Sequence, residues 1–168
     1  MRFFKEEQSF IKTTTGKVVV GILILAAMLP FMIYFMNMPK EGADPVFWYV
    51  MGSTTLLLFA VVALVVTSKL SITIDGKSIT YLYRPFMRRS KSIHWDEIQS
   101  YEVRKYSAVS EFGGYGYRKL PKADTVCLNV TGNQCLDMKL ENGKRLILGT
   151  QKSEELKRVL NSISDNLG

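Results

Sequence analysis

Between Lys17 and Lys69 the chain carries only three charged residues, Lys40, Glu41 and Asp44, gathered in one short polar gap. On either side lie uncharged runs at residues 18–38 and 45–68, and a single water-soluble globule is excluded by them. The first run has 21 residues. As an α-helix it is about 31 Å long, which matches the roughly 30 Å of bilayer hydrocarbon. Residues 46–67 are similar in length and rich in Leu, Val and Ala. A cleaved signal peptide fits poorly, because its apolar stretch is about 7–15 residues and Glu6 and Glu7 interrupt the leading basic region.

The connection at residues 39–45 is too short for anything but an antiparallel return, so the expectation is a transmembrane helical hairpin over residues 18–68, with a periplasmic loop at 39–45. Arg2, Lys5, Lys12 and Lys17 precede it and Lys69, Lys77 and Arg84 follow, against Lys40 alone in the loop. The positive-inside bias then places both chain ends in the cytoplasm, at the inner membrane of a cell. Phe47, Trp48 and Tyr49 fall at the far interface as an aromatic belt. Neither run contains Asp, Glu, Lys, Arg or His, the residues of proton relays and ion paths, which argues against a pump or transporter. Pro30 marks a kink. Met28, Met32 and Met36 read as adaptable packing rather than soft metal ligands. Residues 1–17 repeat Phe3, Phe4, Phe10 and Ile11 among charges, and are expected to lie along the interface as an amphipathic helix or to form a tail.

From Leu70 onward the texture changes to short alternating runs, the period-2 pattern of strands. Residues 71–74 and 79–83 flank Asp75-Gly76 as a hairpin. Further strands are expected at residues 93–95, 98–106, 125–131, 134–141 and 144–150, with residues 107–124 as a loop. The last segment returns to helical spacing, with Ser153 as cap, Glu154 and Glu155 in the first turn, and Leu156, Val159, Leu160 and Ile163 as one apolar stripe.

Three motifs carry a resemblance: Ile93-His-Trp-Asp-Glu-Ile98, the glycine-rich Gly113-Gly-Tyr-Gly-Tyr-Arg118, and Leu140-Glu-Asn-Gly-Lys-Arg-Leu-Ile-Leu-Gly-Thr150 running into Ser153-Glu-Glu-Leu156. Through them residues 69–163 resemble the bacterial pleckstrin-homology-like (PH-like) domains of small membrane proteins. The resemblance implies about seven strands in a bent sandwich or barrel, a carboxy-terminal α-helix, and no catalytic activity. Eukaryotic phosphoinositide readers of that fold carry basic residues across the first hairpin; Lys77 and Arg84 are present, whereas Leu82 stands where the intermediate basic residue would be. The expected organisation is therefore residues 1–17, a hairpin at 18–68, and a cytoplasmic PH-like domain at 69–168.

Signals for chemistry are sparse. His94 is the only histidine, and with two cysteines it makes neither a triad nor a zinc site at these spacings, so no metal or cofactor is expected. A polar loop with Ser107, Ser110 and Glu111 is a thin basis for a hydrolase, and no enzyme is expected. If residues 125–131 and 134–141 form a hairpin that pairs Val130 with Leu136, then Cys127 faces Lys139 and Cys135 faces Thr131. The sulfurs would lie about 13 Å apart, beyond disulfide reach. Asn129-Val-Thr131 matches a glycosylation sequon on a strand that, in the cytoplasm, would not meet the transferase.

One patch carries a functional reading. Arg84, Arg88, Arg89 and Lys91 surround Phe86 and Met87 in the turn after the second strand, which runs back toward the membrane. Anionic phospholipid headgroups would attract each cation by about 1 kcal/mol, while Phe86 and Met87 dip into the interface. From Lys69 onward 17 basic residues stand against 11 acidic ones, which points the same way. Nucleic acid is not an expected partner, since there is no recognition helix. The expected function is non-enzymatic: a membrane-anchored module that binds anionic lipid, a membrane or cytoplasmic protein, or a second copy of itself. The alternative is a subunit of an oligomeric channel, sensor or enzyme assembly.

Overall fold

A computed structural model of the chain describes residues 4–36, 44–120 and 124–167, with side chains to residue 164. Two compact units result. One is formed by residues 10–67, the other by residues 4–9 together with those from 68 onward.

In the first unit, a single 3-10 turn (Phe10–Lys12) leads into α1 (Thr14–Met36), and α2 spans Pro45–Thr67. The Thr13 hydroxyl accepts from the Gly16 amide and so satisfies one of the free N–H groups of the first turn. Gly16 is required here, because a methyl at this position would overlap the Phe10 carbonyl. Both helices are long and apolar enough to cross a membrane, and most of their large apolar side chains are exposed. Pro30 lies inside α1, which continues through it. The expected loop at residues 39–45 falls mostly outside the described residues.

The second unit holds two sheets and a helix. One sheet has the order β1-β2-β3-β4, from Phe4–Ser9, Lys69–Ile74, Ser78–Arg84 and Lys91–His94, all antiparallel. The other has the order β5-β8-β9-β7-β6, from Ile98–Lys105 (β5), Gly116–Leu120 (β6), Thr125–Asn129 (β7), Gln134–Leu140 (β8) and Arg145–Thr150 (β9). A short helix α3 (Ala108–Phe112) follows β5, and α4 (Ser153–Leu167) closes the chain. The stripe expected on α4, Leu156, Val159, Leu160 and Ile163, is buried.

Four expectations change. Residues 4–9 are a strand, not an interfacial helix or tail: β1 pairs with β2 from Phe4↔Ile74 to Ser9↔Lys69. Its inward positions are Phe4, Glu6 and Gln8, and the two polar ones bond to the far end of the chain, although the Gln8 Oε1 is left without a partner. Glu6 accepts from the Thr150 hydroxyl at 2.6 Å and the Gln151 amide at 2.8 Å, and Gln8 donates to the Gly149 carbonyl at 2.7 Å. The sheet-bearing unit therefore starts before the hairpin, and the helices are an insertion between two hydrogen-bonded strands.

Second, the stretch expected as a loop contains α3 and β6, so nine strands stand among the described residues where about seven were expected. Third, β7 and β8 do not pair. β9 lies between them, antiparallel to β8 and parallel to β7. The reason is burial: Leu146 to Thr150 is the longest run covered on both faces among the described residues, and such a run takes the middle of a sheet. Fourth, the cysteines consequently face Ile147 and Gly149 rather than Lys139 and Thr131. Both are free and share one buried cluster with Tyr106, Ala108 and Ile147.

The turn between β2 and β3 is held by the Asp75 carboxylate, which accepts from the amides of Lys77 and Ser78 at 2.8 Å each. Those two amides hold the Asp75 carboxyl below the usual range. The Trp95 indole donates to the Asp75 carbonyl at 2.9 Å, and Glu97 accepts from the His94 amide, so the first quoted motif is a brace for this corner.

Candidate functional site

The basic turn begins where β3 ends. Arg84 is exposed and sits directly opposite Lys69 on β2, which in turn sits opposite Ser9 on β1. Both chain connections to the helices thus leave from the strand end at which the turn starts. Like charges directly opposite one another repel, and neither Lys69 nor Arg84 has an ion-pair partner among the described residues.

The Met87 amide donates to the Tyr83 carbonyl at 2.8 Å, which curls the turn over the end of β3. Met87 becomes half-buried, while Phe86 remains 57% exposed. Arg88, Arg89 and Lys91 are exposed, Lys91 as the first residue of β4. All six expected site residues therefore lie on one turn, with Phe86 and four cations toward solvent.

Sequence reasoning missed the aromatic base under this turn. The Phe86 ring packs on Tyr83 at 5.8 Å and stacks on Tyr117 of β6 at 6.1 Å, with 18° between the planes. The stack joins the turn after β3 to β6 of the other sheet. Burial pushes the hydroxyls of Tyr81 and Tyr83 up from the ordinary phenol range; Tyr83 is additionally bonded to Ser68, which pulls the other way. Ser68 directly follows the last residue of α2. The aromatic cluster thus reaches to the residue at which the chain leaves the second helix.

Alternation sorts the neighbouring cations. Lys91 pairs with Tyr81 and shares its face, and Lys119 shares a face of β6 with Tyr117. Arg118 points to the other face, with its guanidinium over Gly114. Tyr117 and Lys119 were masked in the sequence by the glycines around them, and their two-residue spacing was the available signal.

The polar loop considered for hydrolysis is otherwise employed. The Ser107 hydroxyl accepts from the Ser110 amide as the cap of α3. Glu111 accepts from the Ser107 amide and from the Arg104 guanidinium at 2.8 Å each. Arg104 also donates to Asp137 at 2.7 Å, and Arg145 binds the same carboxylate through Nε and Nη2. Burial alone would push the Asp137 carboxyl up; the guanidinium groups of Arg145 and Arg104 outweigh it and hold it below the usual range. The network clamps α3 over the cluster that contains Cys127 and Cys135, where burial pushes both thiols up to about 12. Such thiols are inert at neutral pH. No group of three or more His, Cys, Asp and Glu is placed to hold a metal ion among the described residues.

No family model, curated protein or solved structure matches the chain.

Proposed function

We propose that this chain is a non-enzymatic, membrane-anchored binding module whose helical hairpin crosses the cytoplasmic membrane and whose PH-like sheet unit lies on the cytoplasmic side against anionic lipid. The observation that carries the reading is the Tyr83–Ser68 contact. It ties the Tyr83, Phe86 and Tyr117 cluster to the residue that follows α2. A membrane-length helix ending at Thr67 brings its next residue to the headgroup layer, and the basic turn comes with it. The opposed Lys69 and Arg84 support the same conclusion, since an anionic surface relieves their repulsion. Two sheets closed by an amphipathic carboxy-terminal helix agree with the PH-like resemblance. In that position the module holds its lipid, and any protein partner docked on it, at the membrane face.

The test uses the full chain in nanodiscs that mix phosphatidylglycerol with phosphatidylcholine, with Phe86→p-benzoylphenylalanine as a photocrosslinker. Mass spectrometry of the adducts should find phosphatidylglycerol enriched several-fold over its mole fraction. Adducts in proportion to the lipid mixture, or none, would reject the lipid reading.

A further inference from the structure

Resting on that reading, one cation of this corner differs from the others in how it is held. Arg118 of β6 follows Gly114 and Gly116, and glycine at both places leaves room for a side chain from elsewhere. The Arg118 guanidinium lies across Gly114, where an added methyl would stand 3.1 Å from its Nη2. The Tyr83 hydroxyl reaches over from the first sheet, to 3.8 Å from the place a Gly116 methyl would take. Both glycines have positive φ, 126° and 111°, which residues with side chains rarely adopt. The segment is also pinned, because the Gly116 amide donates at 2.7 Å to the side chain of the fully buried Asn129. Guanidinium and hydroxyl thus stand over neighbouring glycines of one short segment. The Arg118 charge acts on that hydroxyl, which is bonded to Ser68. Of the arginines of the second sheet, Arg104 and Arg145 are committed to Asp137, and Arg104 to Glu111 as well. Arg118 is exposed and has no carboxylate partner among the described residues. Arg88 and Arg89 lie in the exposed turn, outside any strand or helix.

We propose that Arg118, laid over Gly114 beside the Tyr83–Ser68 pair, takes the phosphate of one anionic phospholipid through two parallel N–H···O bonds, and that Arg88 and Arg89 contribute diffuse attraction only. A guanidinium presents its donors as a planar fork that matches two phosphate oxygens, whereas an ammonium is a point charge on a flexible stem. Diffuse attraction scales with the number of charges near the surface. A forked contact depends on one side chain and on its shape, so exchanging Arg118 for lysine separates the two. Ser68 directly follows α2, so a phosphate held beside it lies at the depth where that helix ends, the headgroup layer of the reading above.

The experiment repeats the photocrosslinking in mixed nanodiscs with the full chain carrying Arg118→Lys, Arg118→Gln or Arg89→Gln. Both arginines are exposed, so every variant should keep the far-ultraviolet circular dichroism of the parent. Arg118→Lys, which keeps the charge, should lower the phosphatidylglycerol enrichment by roughly threefold or more, and Arg118→Gln by roughly fivefold or more, toward the mole fraction. Arg89→Gln should lower it by less than about twofold. Parent-like enrichment in Arg118→Lys, or equal losses in Arg118→Gln and Arg89→Gln, would overturn the fork and leave diffuse lipid binding intact. An excess of inorganic phosphate, compared with chloride at the same ionic strength, should leave the enrichment of the parent in place. Its abolition by phosphate would overturn a lipid as the occupant. No enrichment in the parent chain would bring down the functional reading itself, and this inference with it.

Discussion

The helical hairpin and the sheet-bearing unit are built from the same apolar residues and use them in opposite ways. Leu25 in α1 is 68% exposed, whereas Leu148 in β9 is fully covered. In the sheets the apolar side chains find each other, and burial at about 25 cal/mol per Å² holds the unit together. In the hairpin most of the large apolar side chains stay exposed, the pattern of helices long and apolar enough to cross a membrane. A second contrast follows at the joints. The sheet unit depends on its amino-terminal strand, while the helices enter it as an insertion between β1 and β2.

The largest expected effect tests that second contrast. Because Ser9 and Lys69 are paired, residues 4–9 can be joined to residues 69–167 through a two-residue Asn-Gly turn, with the helices omitted. This chain should be soluble and unfold cooperatively in urea. The fragment beginning at Lys69 should not, since it loses Phe4, itself worth about 3–5 kcal/mol, together with the Glu6 and Gln8 bonds to residues 149–151. Equal stability of the two would break the comparison.

Next in size, Leu148→Ala should cost the sheet unit about 2–5 kcal/mol, and Leu25→Ala in the full chain less than about 0.5 kcal/mol. Denaturant midpoints monitored by Trp95 fluorescence would measure both. Asp137→Ala should cost about 2–3 kcal/mol, below the roughly 3–5 of a fully buried pair because Arg104 and Arg145 stay partly in water. Gly149→Ala should cost about 1–3 kcal/mol, since the added methyl would stand 2.8 Å from the Asn129 Cβ.

The smallest effect is a pH dependence. The Asp137 carboxyl is held below its ordinary value of 3.8 in the fold and returns to it on unfolding. Its contribution is therefore complete above about pH 5 and is lost as the pH falls through 3.8 and below. Urea midpoints of the parent should fall more steeply there than those of Asp137→Asn.

The hairpin was legible because charge is absent over two membrane lengths, β2, β3 and α4 because their periodicity is clean, and β5, β8 and β9 because turn residues bound them as short runs. β1 was not, because two of its inward positions are Glu6 and Gln8, and polar residues at core positions hide the alternation. Their partners, Gly149, Thr150 and Gln151, lie at the other end of the chain and leave no local trace. β6 was hidden by Gly113, Gly114 and Gly116, and the parallel β7–β9 pairing by a Gly132-Asn133 connection that reads like a hairpin turn. In the candidate site, the basic turn stood out as a run of charge. Tyr117 and Lys119 join it only through the packing of two sheets.

The central claim is that the helices cross a membrane with the sheet unit on the cytoplasmic side. Single cysteines at Asp44 and Lys91, in a Cys127→Ala, Cys135→Ser background, can be probed in intact cells with a membrane-impermeant maleimide. The account predicts that Asp44→Cys is labelled from outside, and that Lys91→Cys is labelled only after the cells are permeabilised. Labelling of Lys91→Cys in intact cells, with Asp44→Cys protected, would contradict it.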